Sequence, residues 1–480
     1  MTGTLRDKAR RRSGSPLRTF DYGPRHPTYS YGRGRGPRWP VLAAAALLLL
    51  AIVGGVFLVR TVAQPDIDGG LILGAGPARP AGPDVRVPVA ISPTVPGYVS
   101  ALRGFTDGAV SLTANGQPVE LDAGGGFGVY LLPEWTEVRL VAVDASGNQS
   151  ETVVAIGTDA VASTYPYTSA VHIAAPKWND PAVHQQVLDL IAAGRINAVQ
   201  LDIKDEGGSV GYASAVPLAT TTGAAKGFYD ARAAIDELHG LGVRVIGRVV
   251  NFLDPTLASW AVNNGRSDMI VLDPAGAPLA NNYGAAAFTN FANPEVRQYQ
   301  IDLATEAAGL GFDEILYDYV RRPEGDLATM QFPGLAGPPE VSVARFVAES
   351  KAALGDTMLG ISVFGISASR PEPTAQDMGL LAPNVDYVSP MVYPSLWGSG
   401  EYNVADPEGQ PAEIVSASLQ DFQRVTAGSG AAIVPWLQDF NDYGAVQIQA
   451  QIDAAMAVGS RGFIMWNAGS QYVADGIAPR

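Results

Sequence analysis

The stretch Gly311-Phe-Asp-Glu-Ile-Leu-Tyr-Asp-Tyr-Val-Arg-Arg-Pro323 decides how the chain reads. Ile315, Leu316, Tyr317, Tyr319 and Val320 are strand-forming types, bracketed by the breakers Gly311 and Pro323. Upstream, Asn293 to Leu310 has the marks of a helix: Asn293 as N-cap, Pro294 at the first position, Gly311 just past the end. A helix that stops at a glycine and leads into a buried strand is half of a βα repeat. Asp318 then falls near the C-terminal end of the strand, where barrel enzymes keep their chemistry. A carboxylate in an apolar strand is costly unless it is paired or open to a cleft. Asp318 is therefore the first candidate.

Working outward, the same alternation recurs from Tyr167 onward. Candidate strands are Val171–Ala174, Ala198–Lys204, Arg244–Val250, Glu314–Val320, Leu359–Gly365, Tyr387–Tyr393, Ala432–Gln438 and Gly462–Asn467. Helical patterns lie between most of them, at Pro181–Ala193, Tyr229–Leu241, Pro294–Leu310, Val341–Leu354, Ala412–Thr426 and Ala445–Val458. The connection from the fifth to the sixth strand has only a weak helix signal. The pattern predicts a (β/α)8 TIM barrel over residues 165–480, with a doubly wound open sheet as the alternative. No Gly-x-Gly-x-x-Gly follows the first strand, which leaves nucleotide binding without support.

The chain before the barrel divides by composition. Residues 1–40 carry ten Lys/Arg against two Asp, so a chain of total charge −15 has −23 on the remainder. The acidic body argues against a nucleic-acid partner. The basic segment lacks hydrophobic period and reads as a disordered cytoplasmic tail. Residues 41–59 hold no charge and are long enough to span a bilayer. The positive charges before them predict a single-pass anchor, with everything after Arg60 extracytoplasmic. The alternative is a secretory signal cleaved near Thr61-Val-Ala63. Residues 60–83 are a Gly/Pro-rich linker. Residues 84–157 show short strands (Val85–Ile91, Ala109–Thr113, Gly128–Leu132, Val138–Val143) between Asn115-Gly, Gly124-Gly-Gly and Ser146-Gly-Asn turns, which predicts a small β-sandwich. The chain has no cysteine, which excludes disulfides, thiolate metal sites and a cysteine nucleophile.

If the barrel forms, the strand ends share one mouth. The second strand offers Asp202 and Lys204 on one side by alternation, with Asp205 at the rim. Arg248 comes from the third strand, and Asp318 with Arg321 from the fourth. Tyr393 ends the sixth, Gln438 and Asp439 the seventh, Trp466 and Asn467 the eighth. Several carboxylates beside cations and aromatics suit sugar chemistry: one carboxyl protonates the leaving oxygen, another attacks or activates water, and aromatic faces hold the ring. Each also has a structural reading. Asp318 could pair with Arg248 or Arg321, Asp202 and Lys204 could neutralise each other, and Asp439 could cap a loop. Asp313 and Glu314, which begin the fourth strand, are read as structural; Trp436 and Trp466 as core; His172 as a hydrogen-bonded core histidine. The four histidines show no metal spacing, so no metal or other cofactor is expected, although an Asp-rich mouth could hold calcium.

Residues from about 169 to 475 resemble the putative glycoside hydrolase family of TIM-barrel proteins, long catalogued as a domain of unknown function. The resemblance rests on Asn197-Ala-Val-Gln-Leu-Asp-Ile-Lys-Asp205, Arg248-Val-Val-Asn-Phe-Leu-Asp-Pro-Thr-Leu-Ala258, Asn293-Pro-Glu-Val-Arg297, Gly311-Phe-Asp-Glu-Ile-Leu-Tyr-Asp-Tyr-Val-Arg321 and Val388-Ser-Pro-Met-Val-Tyr-Pro394. Arg322-Pro323 stands where the family usually shows Phe-Pro, and Leu253 where a lysine is expected. Val110-Ser-Leu-Thr-Ala-Asn-Gly-Gln-Pro-Val119 and Ala142-Val-Asp-Ala-Ser-Gly-Asn148 look like bacterial immunoglobulin-like modules, used as spacers or weak carbohydrate binders. The resemblance implies a glycosidase with Asp318 as nucleophile or base. The acid is left among Asp205, Asp202 and Asp439, and Lys204, Arg248, Arg321, Tyr393, Gln438, Trp466 and Asn467 are expected to contact a polysaccharide or oligosaccharide. Chitinase-like barrels carry Asp-Gly-x-Asp-x-Asp-x-Glu on the same strand; here Leu316 and Val320 occupy two of those acidic places, which argues against substrate-assisted hydrolysis. A catalytically inactive glycan-binding barrel and an envelope scaffold remain as alternatives.

Overall fold

A computed structural model describes residues 84–86, 101–121, 125–130, 137–155 and 163–479. The expected tail, membrane anchor and linker lie outside the described residues. Among the described residues, no helix is long and apolar enough to cross a membrane.

The first described unit is all-β. Strands Asp84–Arg86, Ala101–Asp107 and Gly126–Tyr130 form one antiparallel sheet; Gln117–Val119, Ala109–Ala114, Glu137–Asp144 and Gln149–Ala155 form another. Both sheets feed one core, with Leu102, Phe127 and Val129 from the first against Leu112, Leu140 and Val154 from the second. Asn115 and Gly116 both have positive φ, the two-residue hairpin turn expected from Asn-Gly. Arg345 of the following domain reaches this unit, donating from Nη2 to the Thr106 carbonyl at 3.4 Å.

Eight parallel strands then close on themselves: β1 Thr168–Ile173, β2 Ala198–Lys204, β3 Arg244–Val250, β4 Glu314–Asp318, β5 Met358–Phe364, β6 Tyr387–Met391, β7 in two pieces (Ala432–Ile433 and Trp436–Gln438) and β8 Gly462–Trp466. The strands neighbour one another in sequence order, and pairing of β8 with β1 and of β5 with β6 leaves no edge. Closure rules out the open-sheet alternative. β7 is interrupted at Val434-Pro435, where proline has no N–H for the ladder. The helices α1 Pro181–Ala192, α2 Ala231–Gly240, α3 Pro294–Leu310, α4 Pro339–Leu354, α5 Met378–Leu381, α6 Pro411–Thr426 and α7 Ala445–Ala457 ring the barrel. Asn293 caps α3 as expected, its side chain accepting from the N–H groups of Glu295 and Val296. The weak signal between β5 and β6 corresponds to α5, a single turn. Two further helices, Pro217–Thr222 and Pro255–Asn263, lie in the loops after β2 and β3.

Strand alternation separates two cores. Val199, Leu201, Val245, Ile315 and Tyr317 face the helices, while Ala170, Ala198, Ile246, Leu316, Tyr387, Trp436 and Ile464 fill the barrel. At the N-terminal end of the strands, Glu314 is fully buried and pairs with Arg244. Tyr165, from the segment leading into β1, donates its hydroxyl to Glu314 at 2.6 Å and lays its ring 4.5 Å from that of Tyr387. Arg244 also reaches the Thr168 hydroxyl at 2.5 Å. This end of the barrel is plugged.

Candidate active site at the C-terminal mouth of the barrel

Arg248, near the end of β3, is the centre of the mouth. Its guanidinium is about as buried as a core leucine, which is tolerable only because every edge of it meets a carboxylate. Nε and Nη2 donate to Asp318 Oδ2 at 2.9 and 2.7 Å. Nη1 donates to Asp202 Oδ1 at 3.0 Å, and Nη2 also donates to Glu206 Oε1. Burial opposes its charge, but Glu206, Asp202 and Asp318 outweigh that and push its pKa up.

Asp318 closes β4. Its second oxygen, Oδ1, accepts the N–H of Tyr319 at 2.7 Å. Tyr319 takes a left-handed conformation (φ 51°), so the chain turns sharply out of the strand immediately after the carboxylate. Asp202 sits across the mouth on β2, held by Arg248 on one side and by His172 Nε2 of β1 at 3.1 Å on the other. Burial would raise its pKa, but His172 and Arg248 prevail and keep it below the usual carboxylate range. Asp202 is thus a fixed anion suited to orienting Arg248 rather than to donating a proton.

The other expected residues divide by position. Lys204 does not share Asp202's side. A bulge at Ile203 makes Arg248 pair with Asp202 but Val249 with Lys204, which turns the lysine out of the mouth. There Lys204 Nζ is fully buried between β2 and α3, bonded to Asp254 Oδ2 (2.7 Å), Gln300 Oε1 (2.8 Å) and the Asn251 carbonyl (3.2 Å). Asp205 stays at the rim but bends into its own loop, where Oδ1 accepts the N–H groups of Gly207 and Ser209. Burial, with Glu206 and Asp202 adding, pushes it up to about 6 against those two bonds. Arg321 is also enclosed, its guanidinium 4.4 Å from the Phe364 ring and 4.7 Å from that of Tyr319, and paired with Glu324 at 3.0 Å. Gln438 ties two loops together by accepting the Ser395 N–H at 3.1 Å and donating to the Phe440 carbonyl at 3.3 Å. Asn467 donates to the Asp439 carbonyl at 2.5 Å. Asp439 accepts the Val473 N–H at 2.9 Å, and burial pushes its carboxyl up to about 6.

Aromatic residues line the side of the mouth opposite β3 and β4. The Tyr393 and Trp466 rings lie 5.8 Å apart, and Phe440 packs edge-on against both. Tyr393 is close enough to Asp318 that, after burial, the carboxylate is the main cause raising its hydroxyl pKa, so the phenol keeps its proton. Sequence reasoning passed over Glu206, Phe440 and Tyr472. Glu206 lies two residues beyond β2, so no strand period points to it. Tyr472 donates its hydroxyl to the His172 carbonyl from the loop after β8. His172 is a hydrogen-bonded buried residue as expected, and its partner is a carboxylate of the mouth. Among the described residues, no cluster of three or more His, Asp or Glu is arranged to hold a metal ion.

No curated protein matches the chain. Among solved structures, a hypothetical protein from Ruminiclostridium thermocellum is 29% identical, with 40% of this chain and 96% of that one covered and a TM-score of 0.36. The catalytic domain of a β-amylase from Paenibacillus polymyxa is 11% identical over 67% of this chain and 96% of that one, with a TM-score of 0.43. An α-galactosidase from Thermus thermophilus is 14% identical over 80% and 88%, with a TM-score of 0.42. A family model described as "Putative glycosyl hydrolase domain" matches residues 170–472, from the first barrel strand to the loop that carries Tyr472. That match runs from within β1 through β8 and takes in every residue around Arg248, and the chain belongs to this putative glycosyl hydrolase family.

Proposed function

We propose that this protein is a glycoside hydrolase that cleaves O-glycosidic bonds of an envelope or extracellular polysaccharide. In this reading residues 41–59 anchor it in the cell membrane with the N-terminus cytoplasmic, and residues 84–157 form an immunoglobulin-like spacer that carries the barrel outside. The observation that carries the proposal is the imbalance at the mouth: one buried guanidinium serves three carboxylates. A structural ion pair needs one partner. Surplus carboxylates at the strand ends of a family member are what acid/base and nucleophilic attack on an acetal require.

Asp318 acts as nucleophile or base. Arg248 and the Tyr319 N–H fix both its oxygens, so it meets the sugar in one orientation without reorganising. Asp202 and His172 hold Arg248 in place, and a second carboxylate of the mouth supplies the proton to the leaving oxygen. Tyr393, Trp466 and Phe440 offer rings against which a sugar stacks.

The test is reducing-end release by the full-length protein against α- and β-linked glucans, galactosaminoglycans and purified envelope glycan, beside Asp318→Asn. Release by the parent and its loss in a folded variant supports the hydrolase. If both proteins retain one glycan without cleaving it, the barrel is a binding module. Capture of a protein partner without any glycan affinity favours a scaffold.

A further inference from the structure

We infer that Glu206 is the proton-donating partner of Asp318 and that hydrolysis proceeds with retention of anomeric configuration. The inference rests on the hydrolase reading above and identifies the second carboxylate that it requires.

The geometry of one nitrogen carries the argument. Nη2 of Arg248 has two hydrogens; one points to Asp318 Oδ2 and the other to Glu206 Oε1. With Asp318 Oδ2 at 2.7 Å and Glu206 Oε1 nearer still, on the two hydrogens of a single planar nitrogen, these oxygens stand roughly 4.5 Å apart. Catalytic carboxyls about 5–5.5 Å apart mark retaining glycosidases, whereas about 6.5–9.5 Å is needed to fit the water of an inverting one. The guanidinium thus holds the two carboxylates near the retaining separation and well short of the inverting one.

Exposure separates the two roles. The Asp318 side chain is 3% exposed and locked, as suits a nucleophile that must meet one carbon. Glu206 is 43% exposed, on a loop, and can reach both a leaving group and incoming water. The loop itself is well founded. Gly208, two residues on, has φ +79°, and a Cβ there would lie 2.1 Å from Asp254 Oδ1, the residue that also holds Lys204. The displaced lysine therefore supports the loop that carries Glu206. The other acidic candidates face elsewhere: Asp205 into its own turn and Asp439 toward Val473, while Asp202, 1% exposed, is held by His172 as well as by Arg248.

The balanced reaction has two steps. In the first, Glu206, protonated on Oε2 while Oε1 stays on Arg248, gives that proton to the glycosidic oxygen as the bond from C1 to that oxygen breaks. Asp318 forms an ester to C1, and the leaving sugar departs as the alcohol. In the second, the Glu206 carboxylate takes a proton from water, the water oxygen bonds to C1, and the ester breaks to return Asp318 as carboxylate.

The test uses the full-length protein and proton NMR of the first-formed anomer, with Glu206→Gln, Asp205→Asn and Asp439→Asn in parallel. Glycosides with a dinitrophenyl leaving group, which needs no proton, are compared with natural oligosaccharides. Retention is expected from the parent. Glu206→Gln should lose about 100-fold or more on natural linkages but keep the first step on dinitrophenyl glycosides. A glycosyl ester on Asp318 should then accumulate, visible by mass, and azide should restore turnover to a glycosyl azide of retained configuration. An inverted product overturns this inference and leaves the hydrolase standing. So does the same leaving-group dependence in Asp205→Asn or Asp439→Asn with Glu206→Gln unaffected. A parent that cleaves nothing overturns the hydrolase reading and this one with it.

Discussion

Arg244 and Arg248 stand four residues apart on β3, and each reaches across to β4, the first to Glu314 and the second to Asp318. The two pairs share strands, side of the strand and chemistry, yet they sit at opposite ends of the barrel in opposite company. At the plugged end one arginine meets one glutamate, and Tyr165 and Thr168 complete the hydrogen bonds. At the mouth one arginine meets three carboxylates, with His172 behind one of them. The first arrangement neutralises and saturates its groups, which is what a buried ion pair needs to be tolerated. The second gathers three carboxylates on one guanidinium, more than neutralising a buried arginine calls for. Stoichiometry, more than burial, distinguishes the two ends.

The comparison can be broken most directly at Asp318. Asp318→Asn should lower glycan hydrolysis about 10³–10⁴-fold, equivalent to about 4–5.5 kcal/mol of barrier, while the circular dichroism spectrum stays unchanged. Equal activity in parent and variant would deprive the mouth of its special status. At the other end, Glu314→Ala leaves Arg244 without its buried partner and should cost about 3–4 kcal/mol in chemical denaturation. The pH profile of whatever hydrolysis the folded protein performs should not move. Tyr165→Phe removes one hydroxyl from the same carboxylate and should cost about 1–2 kcal/mol.

The smallest effect is a slope, and it belongs to the mouth alone. Burial raises the Asp439 carboxyl from its ordinary 3.8 to about 6. Between about pH 4 and 6 the unfolded chain has therefore released a proton that the folded one still holds. Stability should fall as pH rises through that window. Asp439→Asn should flatten the fall in thermal midpoint against pH, leaving the similar contribution of Asp205. An unchanged slope would show that Asp439 is freely solvated.

Much of this was legible in the sequence, for physical reasons that also mark where legibility stops. β2, β3 and α3 run between the expected residues because breakers and caps bound them: Asn293-Pro294 and Gly311 fix α3 as firmly as any contact. The placement of Asp318 followed from its distance to Gly311. Pro255–Asn263 carries a cap signal in Asp254-Pro255, yet its nine residues fall between β3 and α3, where the repeating pattern calls for no further helix. Lys204 was misplaced because strict alternation has no means of announcing a bulge. Glu206 was overlooked because it lies past the strand, where side-chain direction depends on loop contacts such as Gly208 against Asp254. Arg321 was expected in the open mouth, but the aromatic rings that enclose it come from three separate segments brought together only by folding.

Tyr165 has a consequence for traffic. Its ring and hydroxyl sit at the lower end of the barrel, and Ala170, Ile246, Leu316 and Ile464 pack into one buried cluster with it. The barrel interior is filled with side chains from that end upward. In the reading proposed above, water, sugar and product all use the side ringed by Tyr393, Phe440 and Trp466, so whatever occupies that doorway also controls departure. A polymer lying across it would have to slide or lift before the next water could enter.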